Sequence, residues 1–529
     1  MYCRPATGGR HRYHSNVINR PDQVRAQTPE AGRSLAACGR RWRRDAVALL
    51  TGLAVVAGPG GAVAQVDRLP DLGAASGDEL SGAAERRLGE SIMRELRSEG
   101  IVWDDAEMSE FLNRFAARLT STGPARSHQF EFFAVREKSI NAFALPGGFI
   151  GIHTGLLAVA GDESELATVI GHEIGHVTQR HIARMLANQR QASMMALAGM
   201  VLAALAARSS PDAAIGALSL GDTLAMRSML SFSRDAEREA DRVGLDILRE
   251  AKFDVRAAPR FFERLQQFNR YNEGGAPVYV RTHPVTGERM TDLQLRIQDL
   301  PAFDHRDRIE FRLQRARAVA LGSDAVDALA GARRGFQQQL ESPEGAKDPA
   351  PWFGLANVAH ASRDWAASER ALDKAEQALG GMHVFLTRLR IANSLGAGDL
   401  RRADERSRAA IAAHPDNLAI IRLRAQVLNA AGAQRDTVAL LREKTADFRG
   451  DAELWRLLGE AHQALGERGL AHKAAAEGYL LRGMRLPAIE QLRLARSAGD
   501  LDFFNGSIVD AKLREVEAVY RQEMKESRR

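Results

Sequence analysis

From about Ala83 to Ser121 apolar residues recur at helical spacing. Leu88, Ile92 and Leu96 stand four apart, and Met108, Phe111, Leu112, Phe115 and Leu119 mark a second amphipathic stretch. Such stripes are what a helix buries against a core. The period then shortens. Phe130-Glu-Phe-Phe-Ala-Val135 predicts a strand, and Ser139 to Pro146 and Gly147 to Ile152 predict two short strands with a Pro-Gly-Gly turn between them. Thr154 is placed to cap a helix starting at Gly155. Asp162-Glu-Ser-Glu-Leu166 opens the next helix with acids in its first turn, where the helix dipole favours them.

Helical spacing dominates the remainder. Met194 to Ala207 is a run of fourteen residues without a charge, followed by the apolar-rich Ala213 to Leu220. The run is short for a membrane span and predicts a buried or lid-like helix, with contact to a membrane or to unfolded clients through its methionines as the alternative. Farther on, Gly398, Gly432 and Gly466 are spaced 34 apart, the period of tetratricopeptide repeats. Trp455-Arg-Leu-Leu-Gly459 matches the W-x-x-L-G start of that repeat, and Trp352-Phe-Gly-Leu-Ala356 is a looser copy. Four or five helix pairs are expected between about 313 and 497, closed by a terminal helix from Ala511 to Met524. The fold class is therefore mainly α with a small β-sheet: a domain over residues 65–305, then an α-solenoid over 306–529 that offers a docking surface.

Charge changes this picture only at the start of the chain. The formal net charge is +6, yet residues 1–64 contain ten arginines and three acids, so the remainder carries −1 and has no global reason to seek nucleic acid. Arg40-Arg-Trp-Arg-Arg44 precedes the apolar run Ala46 to Ala57, Gly58-Pro59 breaks it, and Ala62-Val-Ala64 offers a small-x-small cleavage site before Gln65. These are the three regions of a secretory signal peptide and predict export to the periplasm. An uncleaved anchor and twin-arginine export are the alternatives. Both cysteines, Cys3 and Cys38, lie in this leader. Past it the chain has neither disulfides nor thiolate ligands, which suits an oxidising compartment.

The candidate chemistry sits in Val169-Ile-Gly-His-Glu-Ile-Gly-His-Val177. A helix turns about 100° per residue, so His172 and His176 lie about 40° apart on one face and can share one zinc. Glu173 can reach a water on that metal as its general base. The pattern is short enough to arise by chance, and a third ligand must support it. Ser231 to Asp246 supplies one: Glu237 and Asp241 share a helix face, Glu237 as the third ligand and Asp241 as the acceptor that fixes a histidine's tautomer. A solvated charged face is the plain alternative, and Glu239 is a rival ligand about 200° away from Glu237. His181, about 140° round from His176 on a continuous helix, is read as structural or solvent-facing rather than as a ligand. The preceding sheet either supports the fold or holds an extended substrate at its edge, at Gly147, Gly148, Phe149 and Ile150.

Asn141-Ala-Phe-Ala-Leu-Pro-Gly-Gly148, His172-Glu-Ile-Gly-His176 and Glu237-x-x-x-Asp241 together resemble the HtpX-type and CAAX-prenyl-protease-type zinc metallopeptidases, a gluzincin family, over roughly residues 75–300. Four membrane spans of its integral members are missing, and the likeness is to the soluble periplasmic branch with a helical-repeat tail. The resemblance implies one Zn2+ per chain on His172, His176 and Glu237, with Glu173 as base in a zinc metalloendopeptidase. It also implies that His283, in Arg281-Thr-His-Pro284, is a removable ligand that shuts the site; a loop histidine without that role is the alternative. Implied clients are misfolded or misassembled outer-membrane β-barrel proteins, with the repeats docking on the β-barrel assembly machinery and peripheral membrane contact allowed. The alternative function is a periplasmic chaperone or scaffold that acts through its repeats.

Overall fold

A computed structural model describes residues 80–187, 233–271, 277–300, 303, 305–322 and 326–526. The predicted signal peptide, the Met194–Ala207 run and the Ala213–Leu220 segment lie outside the described residues. The architecture is helical with one small sheet, as the hydrophobic pattern predicts.

The first two stripes are separate helices, α1 (Gly82–Ser98) and α2 (Ala106–Thr120). Ser81 caps α1 by accepting from the Ala84 amide, and Asp105 caps α2 by accepting from Met108. Three strands follow: β1 (Glu131–Val135), β2 (Ala142–Leu145) and β3 (Phe149–His153). Their spatial order is β1-β3-β2, with β3 parallel to β1 and antiparallel to β2.

That order corrects the predicted substrate edge. β3 is the central strand, so its backbone is paired on both sides, and Phe149 and Ile150 are buried in the core. A strand in that position has no free hydrogen-bonding edge. Gly147 and Gly148 form the turn before it at φ 76° and 86°, and a Cβ on Gly148 would lie 2.0 Å from the Gln129 carbonyl oxygen. Among the described residues, the side of β2 away from β3 pairs with no strand.

Next come α3 (Thr154–Val159), α4 (Glu163–Thr178) and α5 (His181–Ala187), then α6 (Arg234–Glu250), α7 (Ala257–Tyr271), α8 (Val278–Thr282) and α9 (Gly287–Ile297). Thr154 does not cap α3. The cap position is His153, and the Thr154 hydroxyl instead donates to the Glu137 carbonyl and accepts from its amide, tying α3 to the loop after β1. α4 runs through the middle of the main core, with Leu166, Ala167, Val169, Ile170 and Ile174 all buried among α2, the sheet, α6 and α7.

The remainder is helix after helix. α10 (Ile309–Leu321) and α11 (Val326–Gln339) precede a short α12 (Pro343–Lys347). Five pairs then stack: α13–α14 (Pro349–Ala361, Trp365–Leu379), α15–α16 (Val384–Gly396, Leu400–Ala413), α17–α18 (Leu418–Ala430, Gln434–Asp447), α19–α20 (Ala452–Ala464, Arg468–Leu481) and α21–α22 (Arg485–Ser497, Phe503–Glu526). The 34-residue glycines sit in the turns within three successive pairs, at φ 75–80°.

The repeats grip the acidic start of α2. Arg317 of α10 holds Asp105 at 2.9 Å and Glu107 at 3.3 Å, and Arg388 of α15 pairs with the same buried Glu107. Asn417 donates to Glu110 and Arg422 pairs with Asp104. At the other end Gly483 packs against Arg94 of α1. Part of the solenoid surface expected to dock partners is thus engaged by the chain itself. No described helix is long and apolar enough to cross a membrane.

Candidate metal centre

α4 supplies His172, Glu173 and His176, all buried. α6 can approach closely because the crossing is lined by small residues. A Cβ on Gly175 would meet the Ala240 carbonyl oxygen at 2.8 Å, and one on Gly244 would meet the backbone of Gly171 and His172 at 3.0 Å. Gly175 therefore matters within His172-Glu-Ile-Gly-His176: it lets the helix carrying Glu237 reach the two imidazoles.

Four side chains converge. His172, His176, Glu237 and His283 each offer one donor atom, and these atoms all lie within 4.8 Å of one another. His172 Nε2 lies 3.0 Å from His176 Nε2 and 3.5 Å from Glu237 Oε2, and His176 Nε2 is 3.4 Å from Glu237 Oε1. His283, at the C-cap of α8, brings Nδ1 to 3.3 Å from His172 Nε2 and 3.0 Å from Glu237 Oε1. Its ring stacks on the buried ring of Tyr279, centroids 4.9 Å apart. Three imidazoles and a carboxylate are a donor set that suits zinc.

Glu173 stands out by what surrounds it. It is 0% exposed, and among the described residues neither carboxylate oxygen accepts a hydrogen bond. The His283 Nε2 atom is nearby, at 3.6 Å from Oε1. A buried polar group of this kind is rare in folded proteins and calls for a functional explanation. Its place beside the convergent donors suits a base that receives a proton from a water held there.

Asp241 lies where the spacing on α6 predicts, with Oδ1 2.9 Å from His172 Nδ1. Burial opposes charge on His172, but hydrogen bonding to Asp241 and Glu237 and their negative charges push its pKa up to about 9. Burial dominates at His176 and holds its pKa well below the usual histidine range. Burial also opposes ionisation of Glu237 and Asp241, yet the surrounding cations and donors keep both carboxyls below the usual range.

Three further residues lie against this cluster; the sequence pattern names Glu239 only as a rival ligand, sets His181 aside as structural or solvent-facing, and does not mark Arg289. Arg289, near the start of α9, is buried and bidentate to Asp241 at 2.6 and 2.7 Å. It also lies 2.7 Å from Glu237 Oε2 and donates to the Pro284 carbonyl at 2.8 Å. His181 is not on the far side of a continuous helix. α4 ends at Thr178, Arg180 turns the chain at φ 53°, and α5 begins with His181, whose Nδ1 comes within 2.8 Å of His176 Nδ1. Glu239 is outside the donor cluster and contacts His181 Nε2 at 3.1 Å and Arg184 at 2.7 Å. No motif marks Arg289, and the return of His181 depends on a helix break at a non-glycine residue.

A cavity of about 370 Å³ adjoins His176, lined by Leu145, Pro146, Gly147, Gly148, Val177 and Arg180 among others. The two glycines of the predicted substrate edge thus border the site, whereas Phe149 and Ile150 do not line this cavity. A second grouping, Glu163, His305 and Asp307, sits at the start of α4 and is internally satisfied: Glu163 binds Arg118 and His305, and Asp307 accepts the Glu163 amide.

Comparison with known proteins agrees with this geometry. Residues 103–297 match peptidase family M48. The β-barrel assembly-enhancing protease of Escherichia coli is 29% identical over 458 residues, spanning 84% of this chain and 91% of that protein. A Vibrio cholerae relative is 32% identical over 427 residues, spanning 79% of this chain and 86% of its own length. The mitochondrial metalloendopeptidase OMA1 of Arabidopsis thaliana is 32% identical over 237 residues, 42% of this chain and 45% of that one.

Proposed function

The chain belongs to peptidase family M48, and from that premise we propose that it is an exported zinc metalloendopeptidase acting on misfolded or misassembled outer-membrane β-barrel proteins. The observation that carries the reading is the buried Glu173 carboxylate, without a hydrogen bond among the described residues, set against the convergent His172, His176 and Glu237. Those three residues would hold the ion. A divalent ion there acidifies a water and polarises a carbonyl. Glu173 takes the proton of the attacking water and delivers it to the leaving amine. The side of β2 that pairs with no strand among the described residues, with the Gly147–Gly148 turn, offers an extended substrate backbone hydrogen bonds beside the cavity at His176. The name of the relatives supports barrel proteins as clients, and the signal-like leader supports a periplasmic address. Docking on the barrel-assembly machinery is assigned to repeat surface not engaged by α2.

The metal reading is tested by removal. A strong chelator abolishes cleavage of an unfolded barrel protein, and one equivalent of Zn2+ restores it. Cleavage that continues in fully zinc-stripped protein would falsify the reading.

His283 is the proposed gate. Its ring lies between Glu173 and the other donors, 3.6 Å from Glu173 Oε1 and 3.0 Å from Glu237 Oε1, which supports reading it as a removable ligand that shuts the site. His283→Ala raises proteolysis several-fold, including self-cleavage, read by gel over time. A fall or no change removes the gate.

A further inference from the structure

The two histidines of α4 are oriented by different devices. His172 has Asp241 at its Nδ1. At the Nδ1 of His176 the partner is another imidazole: His181 Nδ1 lies 2.8 Å away, and the far nitrogen of that ring, Nε2, lies 3.1 Å from Glu239 Oε2. Glu239 in turn is held by Arg184 at 2.7 Å. His181 is 3% exposed, so its ring meets these partners in a dry setting, while Glu239 reaches toward solvent.

We propose that His181 and Glu239 form a relay that positions His176 for the metal. The proposal rests on the metal-site reading above. Its logic is a count of protons. To ligate through Nε2, which faces the donor cluster, a neutral His176 must carry its proton on Nδ1. That N–H then donates to His181 Nδ1, which must be bare, so His181 carries its own proton on Nε2 and donates to Glu239. A carboxylate only accepts, so Glu239 selects this single arrangement along the chain of three residues. The turn at Arg180 is the backbone feature that makes it possible: a non-glycine residue at φ 53° is uncommon, and here it returns His181 to His176 one residue later. Glu237, Glu239 and Asp241 of α6 thus act as ligand, remote orienter of one histidine and direct orienter of the other. His181 and Glu239 are positioning residues; neither touches the reacting atoms.

Zinc affinity of the full mature chain, measured by competition with a chromophoric chelator, tests the relay. His181→Leu fills the space but cannot accept, and is expected to weaken zinc binding about 10- to 100-fold. His181→Asn, whose Oδ1 stands near the position of Nδ1, recovers most of that loss. In nitrogen-15 spectra of the zinc-loaded protein the hydrogen-bonded Nδ1–H proton of His176 is present in wild type and His181→Asn and absent in His181→Leu. A side chain that merely fills the core would move stability and leave both readouts unchanged, so wild-type affinity in a folded His181→Leu overturns the relay. If His181→Leu does not fold, Glu239→Gln carries the test, with a several-fold loss expected and unchanged affinity overturning the proposal. His176→Ala separates the two readings. If it loses zinc while the relay variants do not, the relay fails and the metal site stands; if it keeps zinc, the metal site itself is wrong.

Discussion

Glu173→Gln keeps its zinc and loses cleavage of an unfolded barrel protein by a factor of about 10²–10⁴, the range that removing a general base produces. The two side chains have nearly the same shape, so the packing of α4 is preserved. A carboxamide cannot take the proton of the attacking water. The proposed ligands His172, His176 and Glu237 are untouched, which is why bound zinc, measured by elemental analysis, is expected to stay at wild-type stoichiometry. Undiminished cleavage by the variant would sink the mechanism. Cleavage by neither form points to the closed gate or to the chaperone alternative, and His283→Ala decides between them: release of activity in the single variant, absent in the double variant with Glu173→Gln, identifies the gate.

Arg289→Met has the second large effect, on stability. The guanidinium is buried against two carboxylates, Asp241 and Glu237, and their charges hold its proton more tightly than in an ordinary arginine, against the opposing effect of burial. Methionine keeps much of the volume but leaves both acids without their shared cation. Breaking a buried pair from one side costs about 3–5 kcal/mol. Equilibrium urea unfolding of the zinc-free protein should show a loss of that order. The zinc-loaded protein should lose less, because an ion held at the proposed site would offset the charge on Glu237. Arg289 also bonds the Pro284 carbonyl next to His283, so if His283 is the gate proposed above, self-cleavage of the variant should rise as that loop loosens. A stability change below about 1 kcal/mol would place this cluster among the ion pairs that contribute little.

Much of the site was legible because it is built on helices. Residues four apart share a face whatever the rest of the chain does, so His172 with His176 and Glu237 with Asp241 could be paired from their numbers alone. The same rule placed Glu239 about 200° round from Glu237, and it lies outside the donor cluster. It failed at His181, where the assumption of a continuous helix broke down at Arg180. It also failed at β3. Alternation and turn residues identify strands, but which strand lies in the centre is set by pairing between segments, and Phe149 and Ile150 became interior for that reason. Arg289 had no signature, because its meaning lies in partners 48 and 52 positions earlier in the chain.

The sequence by itself therefore determined the local periodicities: the helices, the strands, the 34-residue repeat and the one-face pairs that carry the chemistry. These follow from backbone geometry and side-chain spacing, which act over a few residues. The tertiary structure decided what meets across the fold. It brought Glu237 to His172 and His176 through a glycine-lined crossing, put His283 over Glu173, and set Arg289 between two acids. It also turned part of the repeat surface inward onto α2. Those contacts arise from packing between elements far apart in the chain, where close approach and charge pairing, rather than spacing, select the partner.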